Sequence, residues 1–405
     1  MPHQTTEVLV VGGGQAGLAT SHELTQAGVE HVVLERGRVA ETWRGRWDSF
    51  CLVTPNWSVK LPGGEYRGDD PDGFMLRDAI VEHLEHYASG FGAPVREGVA
   101  VTSVDPVSDG GFLVKTSDGD LRATSVVVAT GTYRRPYRPA AAATLPDDLV
   151  QLDIDAYRNP GGLPDGKILV VGSGQSGCQV AEELVEAGRE VFLSCGRAPG
   201  LTRRIGDRDI VWWAAETGFL DQTVESLPSP AARLEANILA TGHGGGHDLN
   251  LRTLRRSGVT LLGRFLGADG RMARFAPNLG ESQAWGDERR DRFIDLVRNL
   301  VAERGMPMPE IDELEPFDPT APETLDLAGF GAVLHTGGFR PDFGFVRVPD
   351  AFDDMGFPLH ADGHSAAVKG LYFVGVHFLR KRKSSIFYGV GEDAALVAGQ
   401  IAGAR

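Results

Sequence analysis

The chain has 405 residues, 42% hydrophobic and 23% charged, the make-up of a globular protein with room for two or three cores. Its formal net charge of −15 argues against broad contact with nucleic acid or anionic membrane, because phosphate is repelled overall. Its cysteines, Cys51, Cys178 and Cys195, show no C-x-x-C spacing, which argues against structural disulfides and excludes a redox pair of the thioredoxin-reductase kind. No apolar run is long enough to span a bilayer, and the first strand begins too early to leave room for a signal peptide. A cytoplasmic enzyme is expected.

The first stretch, Val8–Glu35, carries the strongest local pattern. Val8–Val11 reads as a short buried strand, followed by glycines at Gly12, Gly14 and Gly17 in G-x-G-x-x-G spacing. A helix is predicted from about Ala16 to Gln26, and a second apolar run, Val32–Leu34, closes on Glu35. Gly12 permits the turn out of the strand, Gly14 lets a pyrophosphate approach the backbone, and Gly17 lets helix and strand pack closely. The helix N-terminus supplies free N–H groups and a positive dipole, and Glu35 is placed to accept from a ribose hydroxyl. A lone glycine triplet also occurs in ordinary turns. Strand before, helix after and acid at the right distance set this one apart.

The segment Arg36–Gly64 pairs Trp43 with Arg44 and Arg46 with Trp47, which suits either a loop against a planar anionic ligand or a surface loop anchored by tryptophan. Asn56 stands between Pro55 and Trp57, where its amide is held rigidly. Leu76–Phe91 has helical spacing, and His83 and His86 on it read as solvated, since nothing completes a metal set. Three strands follow, Val101–Val104, Phe112–Thr116 and Ser125–Thr130, with reversals at Asp109-Gly110 and Asp118-Gly119. They read as a small antiparallel meander returning to the main sheet as VVVATG. Gly131 lets the backbone pass close to a ligand.

Arg134–Pro164, rich in proline and alanine, reads as a linker. Beyond it the opening pattern repeats: a strand Ile168–Val171, glycines at Gly172, Gly174 and Gly177, a helix from about Ser176 to Ala187, and a strand Glu190–Cys195. Here no acid closes the second strand. Ser194 and Arg197 stand there, with Arg203 and Arg204 beyond, and an arginine favours a 2′-phosphate that a carboxylate would repel. The first copy therefore suits FAD and the second NADP. Gly161–Lys167 imitates a P-loop but precedes a strand, and His243–Gly246 has no nucleophile elbow to serve.

From Asp207 to Glu303 the chain reads as an insertion, with helices at Ile210–Thr217, Ala231–Ala240 and Arg289–Glu303 around a strand Val259–Leu262. It is a candidate wall of the substrate pocket. Glu310–Glu323 reads as a linker, Gly331–Gly337 as a strand ending in glycine, and Leu371–Gly375 as the last strand. The basic run Arg380–Lys383 reads as a solvated face. A final helix, Glu392–Ile401, starts where its N-terminus faces the pyrimidine end of a flavin. The fold class expected is α/β, with two Rossmann-like dinucleotide-binding domains, the second inserted in the first, and the small meander. The boundaries are 1–158 and 329–405 for the FAD domain and 159–328 for the NADPH domain, with its helical insertion at about 205–310.

The two glycine triplets, VVVATG and VLHTGGFRPD together resemble the two-dinucleotide-binding-domain flavoproteins, and among them the class B flavin monooxygenases. TWRGRWDSF with LVTPNW, GRAPGLTRR with RDIVWW, and FLRKRKSS with GVGEDAA are most similar to its bacterial potassium-transport-flavoprotein-like subgroup. The resemblance covers nearly the whole chain. It implies FAD at Gly12, Gly14, Gly17, Glu35, Trp43 and Arg46, and NADPH at Gly172, Gly174, Gly177 and Arg197. The neighbouring positions Gln15, Ala16, Arg36, Thr54, Val101, Ala129, Thr130, Gly131 and Gly375 are expected around FAD, and Gln175, Ser176, Thr336 and Gly337 around NADPH. Asn56 matches a family asparagine near the flavin that supports the oxygenated intermediate. No metal is expected.

One departure stands out. The family fingerprint F-x-G-x-x-x-H-x-x-x-[YW], aligned on Tyr157, has Asp147, Leu149 and Asp153 in place of phenylalanine, glycine and histidine. The Baeyer–Villiger form of the motif is not met. The activity expected is an FAD- and NADPH-dependent monooxygenase that forms a C4a-(hydro)peroxyflavin and oxygenates a small molecule at nitrogen or sulfur. An NAD(P)H oxidase or reductase without oxygen insertion is the alternative. The partners expected are a small-molecule substrate and O2, with no nucleic acid and no membrane; a homodimer is the oligomer considered.

Overall fold

The computed structural model describes residues 4–235 and 237–404. Its first part runs β1 (Gln4–Val11), α1 (Gln15–Gln26), β2 (His31–Leu34), α2 (Arg77–Gly90), β3 (Val95–Arg96), β4 (Val101–Pro106), β5 (Phe112–Thr116) and β6 (Gly119–Val128). Then come β7 (Val150–Asp153), β8 (Lys167–Val171), α3 (Gln175–Glu186), β9 (Val191–Ser194), α4 (Ile210–Glu216), α5 (Leu251–Arg256), β10 (Thr260–Leu262), α6 (Leu279–Arg304) and β11 (Phe330–His335). The chain ends with β12 (His360–Ala361), β13 (His364–Ser365), β14 (Leu371–Phe373) and α7 (Val390–Gly403).

Two sheets organise these elements, the first mixed around a parallel centre and the second parallel throughout. The first has the order β12-β13-β14-β6-β1-β2-β3, with β5 pairing β6 and β4 pairing β5 in the expected meander. The second has the order β7-β11-β8-β9-β10, and every pairing in it is parallel. Both bury both faces. Val8 and Val10 join the core under α1 and α7, while Leu9 and Val11 join the core on the opposite face. Ile168 and Val170 are divided from Leu169 and Val171 in the same way. Successive strand side chains point to opposite faces, so a run of valines and leucines with no polar alternation is what a doubly covered sheet requires.

The glycine loops explain how a helix leaves each sheet so abruptly. Gly12 has φ +112° and Gly172 has φ +117°, and a Cβ on either would lie 2.8 Å from a carbonyl oxygen of the neighbouring strand's continuation, at Ala129 or Thr336. A Cβ on Gly17 would lie 1.8 Å from the Gly12 oxygen, and one on Gly177 would lie 1.9 Å from the Gly172 oxygen. No atom fits there.

Several expectations are corrected. The stretch read as a linker, Arg134–Pro164, supplies the edge strand β7, and β11 belongs to the same second sheet. The boundaries 159 and 328 therefore cut off two of that sheet's strands; by pairing it extends from Val150 to His335. The apolar strand assigned to the insertion is β10, the other edge of that sheet. The helix expected over Ala231–Ala240 is a short 3-10 turn, Pro230–Leu234; residue 236 lies outside the described residues. Beyond the turn, Leu239 donates its N–H to the Pro199 carbonyl at 2.9 Å, so tertiary pairing prevails over helix propensity.

The helix expected at Arg289–Glu303 starts ten residues earlier, at Leu279, because the first half buries Ser282, Gln283, Gly286 and Arg290, which show no apolar period. The basic run is not a solvated face. Arg380 pairs with Asp362 and Asp393, while Lys381 and Lys383 both pair with Asp221 and Glu392, which ties α7 to the inserted segment.

Two alanine substitutions separate close approach from mere helix content. Gly17→Ala is expected to cost about 2–4 kcal/mol, because strand and helix must move apart. Gly399→Ala, on the exposed face of α7 with nothing within 4 Å of the added carbon, should gain about 0.5–1 kcal/mol. Thermal unfolding of the two variants beside the parent measures both; equal shifts would remove the steric explanation.

Candidate functional site

Beyond the carboxyl ends of β1, β2 and β6 lies a cleft of about 410 Å³, where ligands of open parallel sheets bind. Gly12, Gly14, Gln15, Ala16, Glu35, Arg36, Trp43, Arg46, Thr54, Val101, Ala129, Thr130, Gly131 and Gly375 all line it. Gly17 lies beneath, against Gly12. Helix α1 begins after Gly14 with no side-chain cap and no acid in its first turn, and the space above the Gly14 α-carbon is open to 4 Å. Its first N–H groups and its dipole are left for an anion.

Glu35 is buried on the wall of this cleft. It accepts from Gly13 N–H at 2.7 Å and Gly37 N–H at 2.9 Å, so its carboxylate is held in one orientation. Arg46 makes no ion pair among the described residues. Its guanidinium sits between the rings of Phe50 and Phe339, at 5.8 and 5.9 Å, and its enclosed Nε has no hydrogen-bond partner. Burial pulls its pKa below the ordinary arginine value. The Thr130 hydroxyl is enclosed and unpartnered as well. An unmatched cation, an unmatched hydroxyl, an oriented carboxylate and an uncapped helix end fit a ligand that carries both phosphates and sugar hydroxyls.

Trp43 braces the cleft. Its Nε1 donates to Gln15 Oε1 at 2.9 Å, and its ring stacks on Phe387 at 5.5 Å. Gln15 in turn donates to the Ser385 carbonyl at 3.2 Å. Ser385, Ile386 and Phe387 line the cleft, as do Tyr133 and Arg134; the sequence reading missed all five. They follow strand ends without a spacing rule of their own, so only folding brings them in. The N-terminus of α7, expected at the flavin, is not among the lining residues, although Ser385–Phe387 just before it are; a Cβ on Gly391 would meet Pro62 at 3.0 Å, and Glu392 and Asp393 are engaged by the basic run.

Asn56 is not among the residues that line the cleft. Its Oδ1 accepts from Met75 N–H at 2.8 Å and its Nδ2 donates to the Asp70 carbonyl at 2.9 Å. The buried carboxamide thus clamps the 70–75 loop, a positioning task in place of the direct contact expected. At the fingerprint position, Asp153 takes two hydrogen bonds from Arg138, at 2.6 and 3.0 Å, and lies opposite His335 in register. Tyr157 donates to Glu183 at 2.8 Å.

The second glycine loop repeats the first. Gly174 caps α3 without a side-chain hydrogen bond, and Thr336 donates from its hydroxyl to the Gly172 carbonyl at 2.7 Å. Gly337 and Ser176 lie beside this turn, the first exposed and the second half-buried. Gln175 is committed to structure, since its carboxamide exchanges hydrogen bonds with the Ala240 backbone. Three residues beyond β9, Arg197 is exposed and makes no hydrogen bond or ion pair among the described residues. Arg203 is not free in that way. It is buried 2.7 Å from Asp209, donates to the Val53 carbonyl at 2.7 Å and lies 4.4 Å over the Phe74 ring. It fastens the insertion to the first sheet's loop and cannot serve a nucleotide. His243 and His247 each face a glutamate on α3, Glu186 and Glu182. Among the described residues no helix is long and apolar enough to cross a membrane.

Residues 9–204 match the family described as pyridine nucleotide-disulphide oxidoreductase. A CzcO-like oxidoreductase of Geobacillus kaustophilus is 30% identical over 397 residues, covering 98% of each chain. Among solved structures, the flavin-containing monooxygenase from Stenotrophomonas maltophilia superposes with a TM-score of 0.69 at 18% identity, over 99% of both chains. The bacillithiol disulfide reductase from Staphylococcus aureus does so with a TM-score of 0.65 at 13% identity, again over 99% of both chains.

The cleft's own chemistry gives a test. Arg46→Met keeps the bulk and removes the unmatched cation. The dissociation constant for FAD, titrated into flavin-free protein, should rise at least about tenfold, the low end for a lost charged hydrogen bond. An unchanged constant would mean that Arg46 does not face the bound phosphates.

Proposed function

We propose that this chain, which belongs with the CzcO-like oxidoreductases, is a class B flavin monooxygenase dependent on FAD and NADPH. Its substrate on this reading is a small organic molecule, oxygenated at nitrogen or sulfur with O2 as the second substrate. It is a flavin-dependent oxidoreductase, and members of its family use FAD and NADPH. When bound, the flavin supplies hydride acceptance and oxygen activation.

The observation that carries the reading is the difference between two otherwise matching loops. Both present an uncapped helix N-terminus over a glycine turn. The first ends its second strand in a carboxylate oriented by two N–H groups, and the second leaves an unpaired, exposed guanidinium beyond its own. A carboxylate there accepts from ribose hydroxyls, and a free guanidinium there takes a 2′-phosphate. On this reading Gly12, Gly14, Gly17, Glu35 and Arg46 bind FAD, and Gly172, Gly174, Gly177 and Arg197 bind NADPH. The uncapped end of α1 draws the FAD pyrophosphate, and the brace of Trp43, Gln15 and Phe387 closes over it and limits water. Thr336, bonded to the Gly172 carbonyl, holds the second turn in the conformation that admits a pyrophosphate.

A second reading, an NADPH oxidase or reductase, is favoured by Asn56. A carboxamide hydrogen-bonded to the backbone at both ends is a poor candidate to stabilise an oxygenated intermediate. Rapid mixing separates the two. Protein reduced anaerobically with NADPH is mixed with oxygenated buffer, and the monooxygenase reading predicts a transient spectrum distinct from both reduced and oxidised flavin. Immediate return to the oxidised spectrum with stoichiometric hydrogen peroxide would establish the oxidase.

A further inference from the structure

A second cavity, of about 260 Å³, lies on the far side of the segment that walls the first. Gly375 and Ser385 face the first cavity, whereas His377 and Arg382, between them in sequence, face the second. The His377 ring is 6.2 Å from that of Tyr133, which lines the first cavity. The two spaces share one wall.

The charges in the second cavity are unevenly matched. Among the described residues, no carboxylate is bonded to Arg382, unlike the other members of the basic run. Its guanidinium lies between the rings of Phe219 and Phe378, at 4.3 and 4.7 Å, and its N–H groups donate to the neutral amide oxygens of Gln222 and Asn237. Arg289 and Arg292 share the single carboxylate of Glu288, and Arg289 also lies 4.3 Å over the Trp285 ring. Arg233 is paired with Asp353 and lies over the Phe357 ring at 3.6 Å. Among the described residues of the lining, Glu235 is the only acid, and it is exposed. His377 is buried, with its Nδ1 unpartnered among the described residues, and burial beside Arg382 and Arg233 pushes its pKa down to about 3. It is neutral at physiological pH and adds no charge of its own, leaving an open hydrogen-bonding atom.

The carboxylate of Glu235 acts on Arg382 only without a direct bond, and a partly buried cation bonded to neutral amides alone is costly unless a ligand supplies a closer counter-charge. Aromatic faces on either side of it suit a flat apolar body. We propose that this cavity is the substrate pocket and that it takes a small organic carboxylate with a planar, apolar body, its charge toward Arg382, Arg289 and Arg292. That assignment rests on the flavin reading above, because the shared wall is what brings the bound molecule beside the flavin cleft.

The probes are 2-naphthoate and its neutral counterpart 2-naphthamide, titrated calorimetrically into the FAD-loaded protein. The expected result is saturable binding of naphthoate, at least about tenfold tighter than naphthamide, since an ion pair with arginine is lost in the amide. Arg382→Gln should abolish that preference, and the more exposed Arg289→Gln should weaken naphthoate several-fold with bound flavin unchanged. The second variant keeps the test open where the first fails to fold. Equal affinity for the two probes, indifference to both substitutions, or displacement of naphthoate by NADP+ would overturn the proposal. The rapid-mixing experiment fails independently: loss of the transient spectrum with naphthoate preference intact removes the monooxygenase reading and leaves the anion pocket standing.

Discussion

Two carbon atoms that cannot be accommodated hold this architecture together. At Gly17 and Gly177 a methyl group would lie within 2 Å of the carbonyl of the glycine five residues earlier. Only with hydrogen there can each helix press against its strand, and only then does the helix begin at the rim of the sheet. From that contact follow the uncapped N-terminus, the open space above Gly14, and a turn through positive φ at Gly12 and Gly172. The same steric rule, used twice in one chain, builds the same strand–turn–helix unit at two places.

Buried guanidinium groups then divide the labour. Each needs a partner, and the kind of partner marks the role. Arg203 has Asp209, a phenylalanine face and a backbone carbonyl, so it is structural cement between the insertion and the first sheet's loop. Arg46 has two aromatic rings and no ion-pair partner among the described residues, within a cleft whose fold suits a pyrophosphate. Arg382 has aromatic faces and neutral amides on the wall that separates the two cavities. Sequence alone does not sort these three, because each is an arginine near an aromatic residue.

What the sequence made legible is what depends on short-range rules. The strand–glycine–helix units, the first two meander strands and the acid at Glu35 lie within a few residues of their expected limits, whereas the third meander strand starts at Gly119, well before the expected Ser125. What stayed hidden depends on distant partners. The edge strand Val150–Asp153 lies in a proline-rich stretch and exists because Phe330–His335 lies alongside it. The front half of the long helix Leu279–Arg304 is buried through polar residues and shows no apolar stripe. The expectation for Asn56 rests on its short motif, and only the fold shows that its carboxamide bonds Met75 N–H and the Asp70 carbonyl outside the cleft lining. The basic run was taken for a solvated face because its carboxylate partners lie far along the chain, at Asp221 and Asp362, as well as nearby at Glu392 and Asp393.

The central claim is that the two glycine loops differ in what they bind, with the difference set by a carboxylate in one and a free arginine in the other. The most direct measurement is the rate of anaerobic flavin reduction by NADPH and by NADH, compared between the parent protein and Arg197→Ala at equal flavin content. A marked preference for NADPH in the parent, lost through slower or weaker use of NADPH alone in the variant, is the predicted result. A preference that survives Arg197→Ala unchanged contradicts it.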